Sequence, residues 1–333
     1  MHRLPRRIAV ASITLSLLLA AAVPAHAALT DRKRMDRAVG SIASQQRNNG
    51  SIPAFSPIGS TADAVLAFVA AGKGRPSMRA ALRYLTNQVE RGNVTGVGLK
   101  AKVALAFSAA GRDPRDVAGE NLILQLRNAY MNGLSPIVFD TALAVLAIEA
   151  ADAGVPAAAR NFLVDNQCPD GGWPYDAFHS GTENARCEHA TDPDSDSFLS
   201  DTNSTALALM ALAATGATPD ENPFRFLREI RDDDRGGWGY TWGFTATDAN
   251  STALVLQAYD AVGRDAPGAA ERALRRLQYG RCGAFAFGFD DGRRTAPDIG
   301  ATIGAVPGIR GLAMPFTREV SGKAPQTPAC PDA

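Results

Sequence analysis

The sequence is poor in the residues that build metal and nucleophilic sites: its 333 residues include four histidines and four cysteines. Aromatic residues make up 7% of the chain, and 34 basic side chains balance 34 acidic ones. Without an excess of positive charge there is no electrostatic reason to expect a nucleic acid or an anionic membrane surface as partner. Because 46% of the residues are hydrophobic, the chain can bury a large core, which excludes disorder, a collagen and a coiled coil.

The first residues are typical of a secretory signal peptide. Three arginines precede an apolar run from Ile8 to Val23, and Ala25-His26-Ala27 provides an Ala-x-Ala cleavage site. This run is shorter than the roughly 20 residues that a membrane-spanning helix needs, and no later run is longer. We therefore expect residues 1–27 to be a signal peptide and the protein to be secreted and extracellular, with no membrane span.

The cysteines are even in number, as in an exported protein in which they pair as disulfides. Of the three connectivities we expect the pairing of sequence neighbours, Cys168 with Cys187 and Cys282 with Cys330. The second pair would fasten a Pro-rich C-terminal tail, residues 319–333. Four free thiols are the alternative, and a zinc site is disfavoured because there is no Cys-x-x-Cys.

Ala-rich apolar segments ending in glycine recur at intervals of about 45 residues. They are apolar on nearly all sides, which is typical of a helix buried all round, and a final glycine suits a left-handed C-cap. Between them lie amphipathic stretches. The apolar segments are Thr61–Gly72, Gly98–Gly111, Thr141–Gly154, Thr202–Gly216 and Ala249–Gly263, and the amphipathic stretches are Met78–Arg91, Gly119–Tyr130, Pro156–Asn166 and Ala269–Leu277.

This alternation predicts an all-α fold with one set of helices inside and the other outside. An α/α toroid of about six helical hairpins over residues 28–318 satisfies it, with inner and outer helix rings. An open solenoid would instead leave a polar stripe on the second helix of each pair. Glycines and prolines between Pro297 and Gly308 interrupt the sixth pair, so the sequence does not decide whether the ring closes. Residues 284–289 alternate small residues with phenylalanine, which predicts a short hairpin arm.

A motif recurs in the links between the two kinds of helix. Its clear copies are Gln167–Trp173 and Asp233–Gly239, which share Gly-Gly-Trp, and its degenerate copies are Gln46–Ile52 and Gln278–Phe285. The pattern resembles the Gln-x-x-x-Gly-x-Trp repeat of the prenyltransferase/squalene oxidase repeat superfamily. The resemblance implies an α/α toroid, the fold shared by terpene cyclases, prenyltransferase β subunits, thioester domains and cobalamin carriers, and implies little about function.

The two tryptophans of this motif have two interpretations. The glycines allow a tight turn, after which Trp173 and Trp238 would cover a helix end and donate their indole N–H to a carbonyl oxygen. Alternatively, the rings would stack on a ligand.

The catalytic motifs of the superfamily are absent. The sequence has no Asp-x-Asp-Asp for protonating an alkene, no matching Asp, Cys and His set for zinc, and no Gly-Cys-Gly-Glu-Gln thioester. Whether the protein is an enzyme is left uncertain, with a binding role favoured.

Two predicted inner helices begin alike, at Asp201 and at Asp248, with the pattern Asp-x-Asn-Ser-Thr, and the segment from Asp140 to Leu143 is a weaker copy. One capping residue per helix is enough. The further polar groups are therefore candidates for ligand binding at the mouth where the inner helices begin, with capping alone as the other interpretation. The candidate ligand-binding residues are Tyr175, Asp201, Asn203, Thr205, Tyr240, Trp242, Asp248, Asn250 and Thr252.

A long insertion, Tyr175–Ser200, carries several acidic residues. Asp192, Asp194 and Asp196 have the opening spacing of an EF-hand loop, but the glycine and final glutamate of that loop are missing. No cofactor is expected. A calcium site of another design is the alternative to a solvated acidic loop.

We therefore expect a secreted, noncatalytic toroid that binds a ligand or a protein at one mouth, nearest in kind to the exported carriers of the superfamily. Its partner would be a small molecule, such as a corrinoid, or an extracellular protein. The alternative is an isoprenoid-processing enzyme, similar to a terpene cyclase or prenyltransferase, that uses Asp194, Asp196, Asp201 and Asp248.

Overall fold

The computed structural model describes residues 25–131, 137–176 and 199–330. These residues form twelve α-helices and six two-residue strands, so the prediction of a mostly helical chain is confirmed. The helices are α1 (Ala25–Ser44), α2 (Pro57–Ala71), α3 (Arg75–Glu90), α4 (Val97–Ala109), α5 (Leu122–Met131), α6 (Val138–Ala150), α7 (Ala157–Asp165), α8 (Thr202–Ala214), α9 (Pro223–Glu229), α10 (Ala249–Ala261), α11 (Gly268–Leu277) and α12 (Ile299–Ile309); the strands are β1 (Trp173–Pro174), β2 (Ser200–Asp201), β3 (Phe285–Ala286), β4 (Phe289–Asp290), β5 (Arg293–Arg294) and β6 (Pro297–Asp298).

Six helices are buried on nearly all sides, and we call α2, α4, α6, α8, α10 and α12 the core helices. In α8, every residue from Ala206 to Leu212 is at most 3% exposed. Each core helix packs against the next core helix along the chain, and α12 packs against both α10 and α2. The contacts between the core helices therefore form a closed cycle.

The other six helices, α1, α3, α5, α7, α9 and α11, are the cover helices. Most of them pack against two successive core helices: α3 against α2 and α4, α5 against α4 and α6, α7 against α6 and α8, and α11 against α10 and α12. Helix α11 shows the sequence basis, because its buried residues Ala270, Ala273, Leu274 and Leu277 recur every three or four positions. Helix α1 packs against α2 and α12, the two ends of the series.

The sixth pair forms despite its glycines and prolines. Helix α12 is continuous from Ile299 to Ile309 with Pro307 inside it. Two of its glycines lie where α10 comes closest: a Cβ added at Gly308 would be 2.4 Å from the Cβ of Ala253, and one at Gly304 would be 2.5 Å from the Oδ1 of Asn250. These glycines, which look like interruptions in the sequence, are thus contact points between two closely packed helices.

The predicted hairpin arm is present, and it extends beyond the residues 284–289 from which it was predicted. Strand β3 pairs with β6, and β4 pairs with β5, so the arm extends from Phe285 to Asp298. The arm leads directly into α12, since Asp298 is the N-cap of that helix.

The repeated motif forms a joint between successive cover helices, which we call the turn joint. The side-chain amide of Gln167 donates to its own turn, at Gly171 O (2.9 Å), and to Glu221 O (3.0 Å) just before α9. Gln278 repeats this with Gly283 O and with Arg34 O of α1. Because the last joint reaches the first helix, the same hydrogen bonds that link neighbouring repeats also link the two ends of the chain.

The glycine of the joint lies against backbone. Gly171 has φ +95°, and a Cβ added there would be 2.3 Å from Asn222 O. Gly283 has φ +83°, and its Cβ would be 2.4 Å from the backbone of Arg37 in α1. Both the left-handed conformation and the close approach require a residue without a side chain.

Each motif tryptophan is fully buried and closes the end of a cover helix. Trp173 Nε1 donates to Leu163 O of α7 and Trp238 Nε1 to Leu227 O of α9, both at 2.6 Å. The prediction of a helix-end role is confirmed. At 0% exposure, these rings do not form an open stacking surface.

The C-terminal segment, residues 312–330, crosses the ends of three core helices. Thr317 Oγ1 donates to Ser108 O of α4, Arg318 Nη1 to Ala70 O of α2, and Ala313 N to the carboxylate of Asp260 in α10. The predicted Cys282–Cys330 disulfide then fastens the segment next to α11. Cys168 is also disulfide-bonded, and its expected partner, Cys187, lies outside the described residues.

In the three described ranges, no helix combines the length and the apolar character needed to cross a membrane. The expected signal peptide, residues 1–27, lies almost wholly outside these ranges, and secretion stays a prediction.

Alanine at Gly171 should be far more disruptive than alanine at Gly216, although both glycines have positive φ. A Cβ at Gly216 meets nothing within 4 Å, so that variant should lose only the left-handed preference, about 1 kcal/mol. Gly171→Ala adds the overlap with Asn222 and should lose about 1–3 kcal/mol more. Urea unfolding of both variants measures the difference, and equal losses would mean that the joint is not a close backbone contact.

Removing the Cys282–Cys330 disulfide should destabilise the protein by about 4 kcal/mol, because the bond closes a loop with a sequence separation of 48. The double variant Cys282→Ser/Cys330→Ser tests this by urea unfolding and leaves Cys168 untouched. A loss below about 1 kcal/mol would show that the C-terminal segment stays in place without its covalent bond.

Candidate functional site

The core helices α8, α10 and α12 begin with an aspartate that caps the helix. Asp201 accepts a hydrogen bond from Ser204 N and Asp248 from Ser251 N, both at 2.8 Å, and Asp298 accepts one from Ala301 N at 2.6 Å. These bonds satisfy backbone N–H groups that have no partner within the helix. The capping interpretation therefore holds for Asp201 and Asp248.

Thr205 and Thr252, two candidate ligand-binding residues, belong to the turn joints. Both are fully buried. The hydroxyl of Thr205 accepts from Trp173 N (2.8 Å) and that of Thr252 accepts from Trp238 N (3.0 Å). Thr302 serves Phe285 N in the same way, so the repeated threonine orients the repeated turn.

An exposed aromatic residue lies two positions after each of Trp173, Trp238 and Phe285. The carbonyls of Tyr175, Tyr240 and Phe287 accept from the first backbone N–H of α6, α8 and α10 respectively, at 2.8–2.9 Å from Val138, Thr202 and Ala249. Their side chains are 43%, 44% and 50% exposed. We call Tyr175, Tyr240 and Phe287 the aromatic arc, and the surface formed by the first turns of α4, α6, α8, α10 and α12 the N-terminal face.

The remaining candidates lie beside this arc. Asn203 and Asn250 are partly exposed in the first turns of α8 and α10. Trp242 is half-buried and packs edge-on against Phe226 of α9, with ring centroids 6.2 Å apart. The structure thus brings Tyr175, Tyr240, Asp201 and Asn203 together, and it directs Trp242 toward a cover helix.

Three carboxylates surround the tyrosines of the arc. In addition to burial, the charges of Asp140, Asp176 and Asp201 raise the pKa of Tyr175, and the charges of Asp201 and Asp176 raise the pKa of Tyr240. Among the described residues, Lys102 is the cation whose charge opposes these effects on the pKa of Tyr175. Its ammonium lies 2.7 Å from Asp63 Oδ2. Among the described residues that influence the two tyrosines, acidic side chains therefore outnumber basic ones.

The tyrosine hydroxyls stay protonated in this environment. Burial, followed by the charge of Asp201, raises the pKa of Tyr240 to about 12. Burial and the same carboxylates raise the pKa of Tyr175. Both phenols are thus hydrogen-bond donors at neutral pH. Burial also raises the pKa of Asp140, against the opposing effects of the Gly98 N–H and Lys102.

The first turn of α8 contains polar atoms without partners. Asp201 Oδ2, Thr202 Oγ1, Asn203 Oδ1 and Ser204 Oγ are buried and make no hydrogen bond, although the Ser204 hydroxyl lies near enough to lower the pKa of Asp201. In α10, by contrast, Ser251 Oγ donates to Asp248 Oδ2 at 2.7 Å. Unpartnered buried polar groups cost about 1–3 kcal/mol each and are rare, so α8 differs from its repeat in a way that capping does not explain.

The proposed calcium ligands Asp192, Asp194 and Asp196 lie outside the described residues. Within the described ranges, no group of three or more His, Cys, Asp or Glu side chains is arranged to hold a metal ion.

The sequence interpretation missed Asp140, Asp176 and Phe287. Asp140 begins a weak copy of the helix-start pattern and Asp176 lies in the acidic insertion, but the sequence does not single out either as a ligand-binding residue. Phe287 follows the phenylalanine of a degenerate motif copy by two residues, as Tyr175 and Tyr240 follow tryptophans, so aligning the motif copies would have found it.

Known proteins do not assign this surface: no family model matches the chain, and no curated protein matches it. Its role has to be inferred from the residues described above.

The buried caps should make the protein less stable as pH rises from about 4 to 7. Burial raises the pKa of Asp201 and of Asp248 to about 6, above the value of about 3.9 in an unfolded chain. Between these values the folded state binds more protons, so the free energy of unfolding falls with rising pH. Above the folded pKa it becomes level for these two groups.

The variant Asp248→Asn isolates one of them, because asparagine also caps a helix well. We expect it to match the wild type near pH 4 and to be more stable by roughly 1–3 kcal/mol at pH 7. Urea unfolding at both pH values measures this. A variant that is less stable at pH 7 would show that the ionised carboxylate is favourable where it lies.

Proposed function

We propose that the chain is an α/α toroid of the prenyltransferase/squalene oxidase repeat type, with the core helices as inner ring and the cover helices as outer ring. Three features support this. The core-helix contacts form a cycle that α12 and α2 complete, the cover helices pack mostly between successive core helices, and α1 packs against both ends of the series. The turn joints also give the Gln-x-x-x-Gly-x-Trp pattern a structural role in which Gln278 links the last repeat to α1.

We further propose that the protein binds a ligand at the N-terminal face, without catalysing a reaction. The observation that carries this is the aromatic arc, in which the repeat places Tyr175, Tyr240 and Phe287 at equivalent positions with 43–50% of each residue exposed. Exposed aromatic rings grouped on one surface are typical of binding sites. Residues 313–318 lie against the other ends of α2, α4 and α10, so we assign the ligand to the N-terminal face.

The alternative of an isoprenoid-processing enzyme needs free carboxylates at this face. Asp201 and Asp248 are 2% and 5% exposed and each holds a helix N-terminus, which favours structural work over proton transfer. Asp194 and Asp196, the other two acids of that hypothesis, lie outside the described residues. The binding role therefore has the better support.

Native mass spectrometry of the protein, secreted from a host related to its source, tests the proposal. We expect a mass excess that disappears on denaturation and is lost from the variant Tyr175→Ala/Tyr240→Ala, because the arc supplies the contact surface. Leu124→Ala is the matched control, since Leu124 is 51% exposed on the cover helix α5 and should keep the excess.

Retention of the adduct by the tyrosine double variant would place the ligand elsewhere. A wild-type mass equal to that of the disulfide-bonded chain alone, repeated in the presence of concentrated culture medium, would contradict small-molecule binding and leave protein docking as the binding role to test.

A further inference from the structure

The first turn of α8 is the part of the N-terminal face that has acceptors to spare. Asp201 is 2% exposed, and its Oδ2 has no hydrogen-bond partner although the carboxylate lies close enough to Tyr175 and Tyr240 to act on both. The neighbouring Asn203 Oδ1 is unpartnered too. A carbonyl or carboxylate oxygen accepts and cannot donate, so these buried oxygens favour a ligand that brings positive charge close to the turn.

The charges around this turn favour a cation. Asp176 is the third carboxylate beside Asp140 and Asp201. It is exposed, and its backbone forms a β-bridge with Ile137 at the start of α6. The charge of Lys102 opposes these carboxylates in part, as it opposes the burial that raises the pKa of Asp140, and its ammonium is shared with Asp63. The first turns of α4, α6 and α8 each contribute about half a positive charge, which three carboxylates exceed. An anion would be repelled, and a neutral molecule would gain nothing from the charge.

The aromatic rings suit the same ligand. Tyr175 is near enough to Tyr240 to contribute, after burial and Asp201, to the raised pKa of Tyr240, and both residues are partly exposed beside the carboxylates. The face of an aromatic ring carries partial negative charge and attracts ammonium or guanidinium groups, with a contribution of about 0.5–2 kcal/mol for each contact. Rings and carboxylates together form the arrangement by which proteins recognise organic cations.

We propose that the site formed by Tyr175, Tyr240, Asp140, Asp176 and Asp201 binds a small organic amine as its protonated cation. The ammonium N–H groups lie toward the exposed carboxylate of Asp176, near the buried charge of Asp201, and the apolar part of the ligand lies on the tyrosine rings. This inference rests on the proposed binding function of the N-terminal face and names its ligand class.

Three probes of similar shape separate the effect of charge from that of apolar contact: phenethylamine as the cation, 2-phenylethanol as the neutral analogue and phenylacetate as the anion. NMR titration of the whole secreted protein at pH 7 and low salt should give a dissociation constant for phenethylamine at least tenfold lower than for 2-phenylethanol. Phenylacetate should not bind measurably.

The variant Asp176→Asn tests the carboxylate, because Asp176 is exposed and its replacement leaves the helix caps intact. We expect phenethylamine to bind about three- to tenfold more weakly and 2-phenylethanol to bind as before. Asp165→Asn, which removes an exposed charge from the cover helix α7, should leave both constants unchanged and controls for the overall charge. Thermal melting of the free variants confirms that they are folded.

Equal binding of the amine and the alcohol, or an unchanged amine affinity in Asp176→Asn, would overturn the cation inference and leave the binding face standing. So would a retained ligand that is neutral, such as a sugar. If no probe binds and native mass spectrometry finds no retained ligand, both the inference and the small-molecule function fail. Binding of a lysine-containing peptide in preference to phenethylamine would assign the site to a protein partner and overturn the small-amine proposal.

Discussion

The turn joint is the interaction on which the rest of the structure depends. A core helix that is apolar on every side cannot offer polar groups to its neighbours, so the register between repeats has to be set at the helix ends. The joint does this with a glycine that lies against the next cover helix and a glutamine amide that bonds to carbonyls on both sides of the gap. Gln278 makes the same bonds to α1, so one local device both repeats along the chain and brings its ends together.

The joint also decides where the aromatic arc lies. The motif aromatic donates its backbone N–H to a buried threonine, and two residues later a carbonyl meets the first N–H of the preceding core helix. These backbone hydrogen bonds fix Tyr175, Tyr240 and Phe287 at the starts of core helices, where 43–50% of each residue is exposed.

Polar groups gather at the N-terminal face for a related reason. Helix N-termini need acceptors, and the core offers none, so aspartates collect where the core helices begin. In α10 the acid and serine satisfy each other. In α8, where Thr202 stands in place of Ala249, oxygens of Asp201, Thr202, Asn203 and Ser204 stay unpartnered next to two tyrosines. The two first turns thus differ, although both have the pattern Asp-x-Asn-Ser-Thr.

Much of the architecture can be read from the sequence, because burial on all sides and burial on one side leave different periodicities. The apolar segment Thr202–Gly216 coincides with α8, and the amphipathic stretch Ala269–Leu277 with α11. The capping role of Asp201 and the helix-end role of Trp173 follow from residue type and position. Such features are local, since a cap or a turn is decided by residues a few positions apart.

The relations between distant segments become visible only in the tertiary structure. The glycines of α12 look like breaks until Ala253 of α10 is seen to fill the space beside them. Thr205 and Thr252 look like ligand contacts until Trp173 and Trp238 are seen to occupy their hydroxyls. Asp140 begins a weak copy of the helix-start pattern and Asp176 is one of several acids in an insertion, and only their nearness to Tyr175 relates them to each other. Residue type and periodicity fix the helices and their ends, whereas the polar groups that remain for a ligand depend on how those ends pack together.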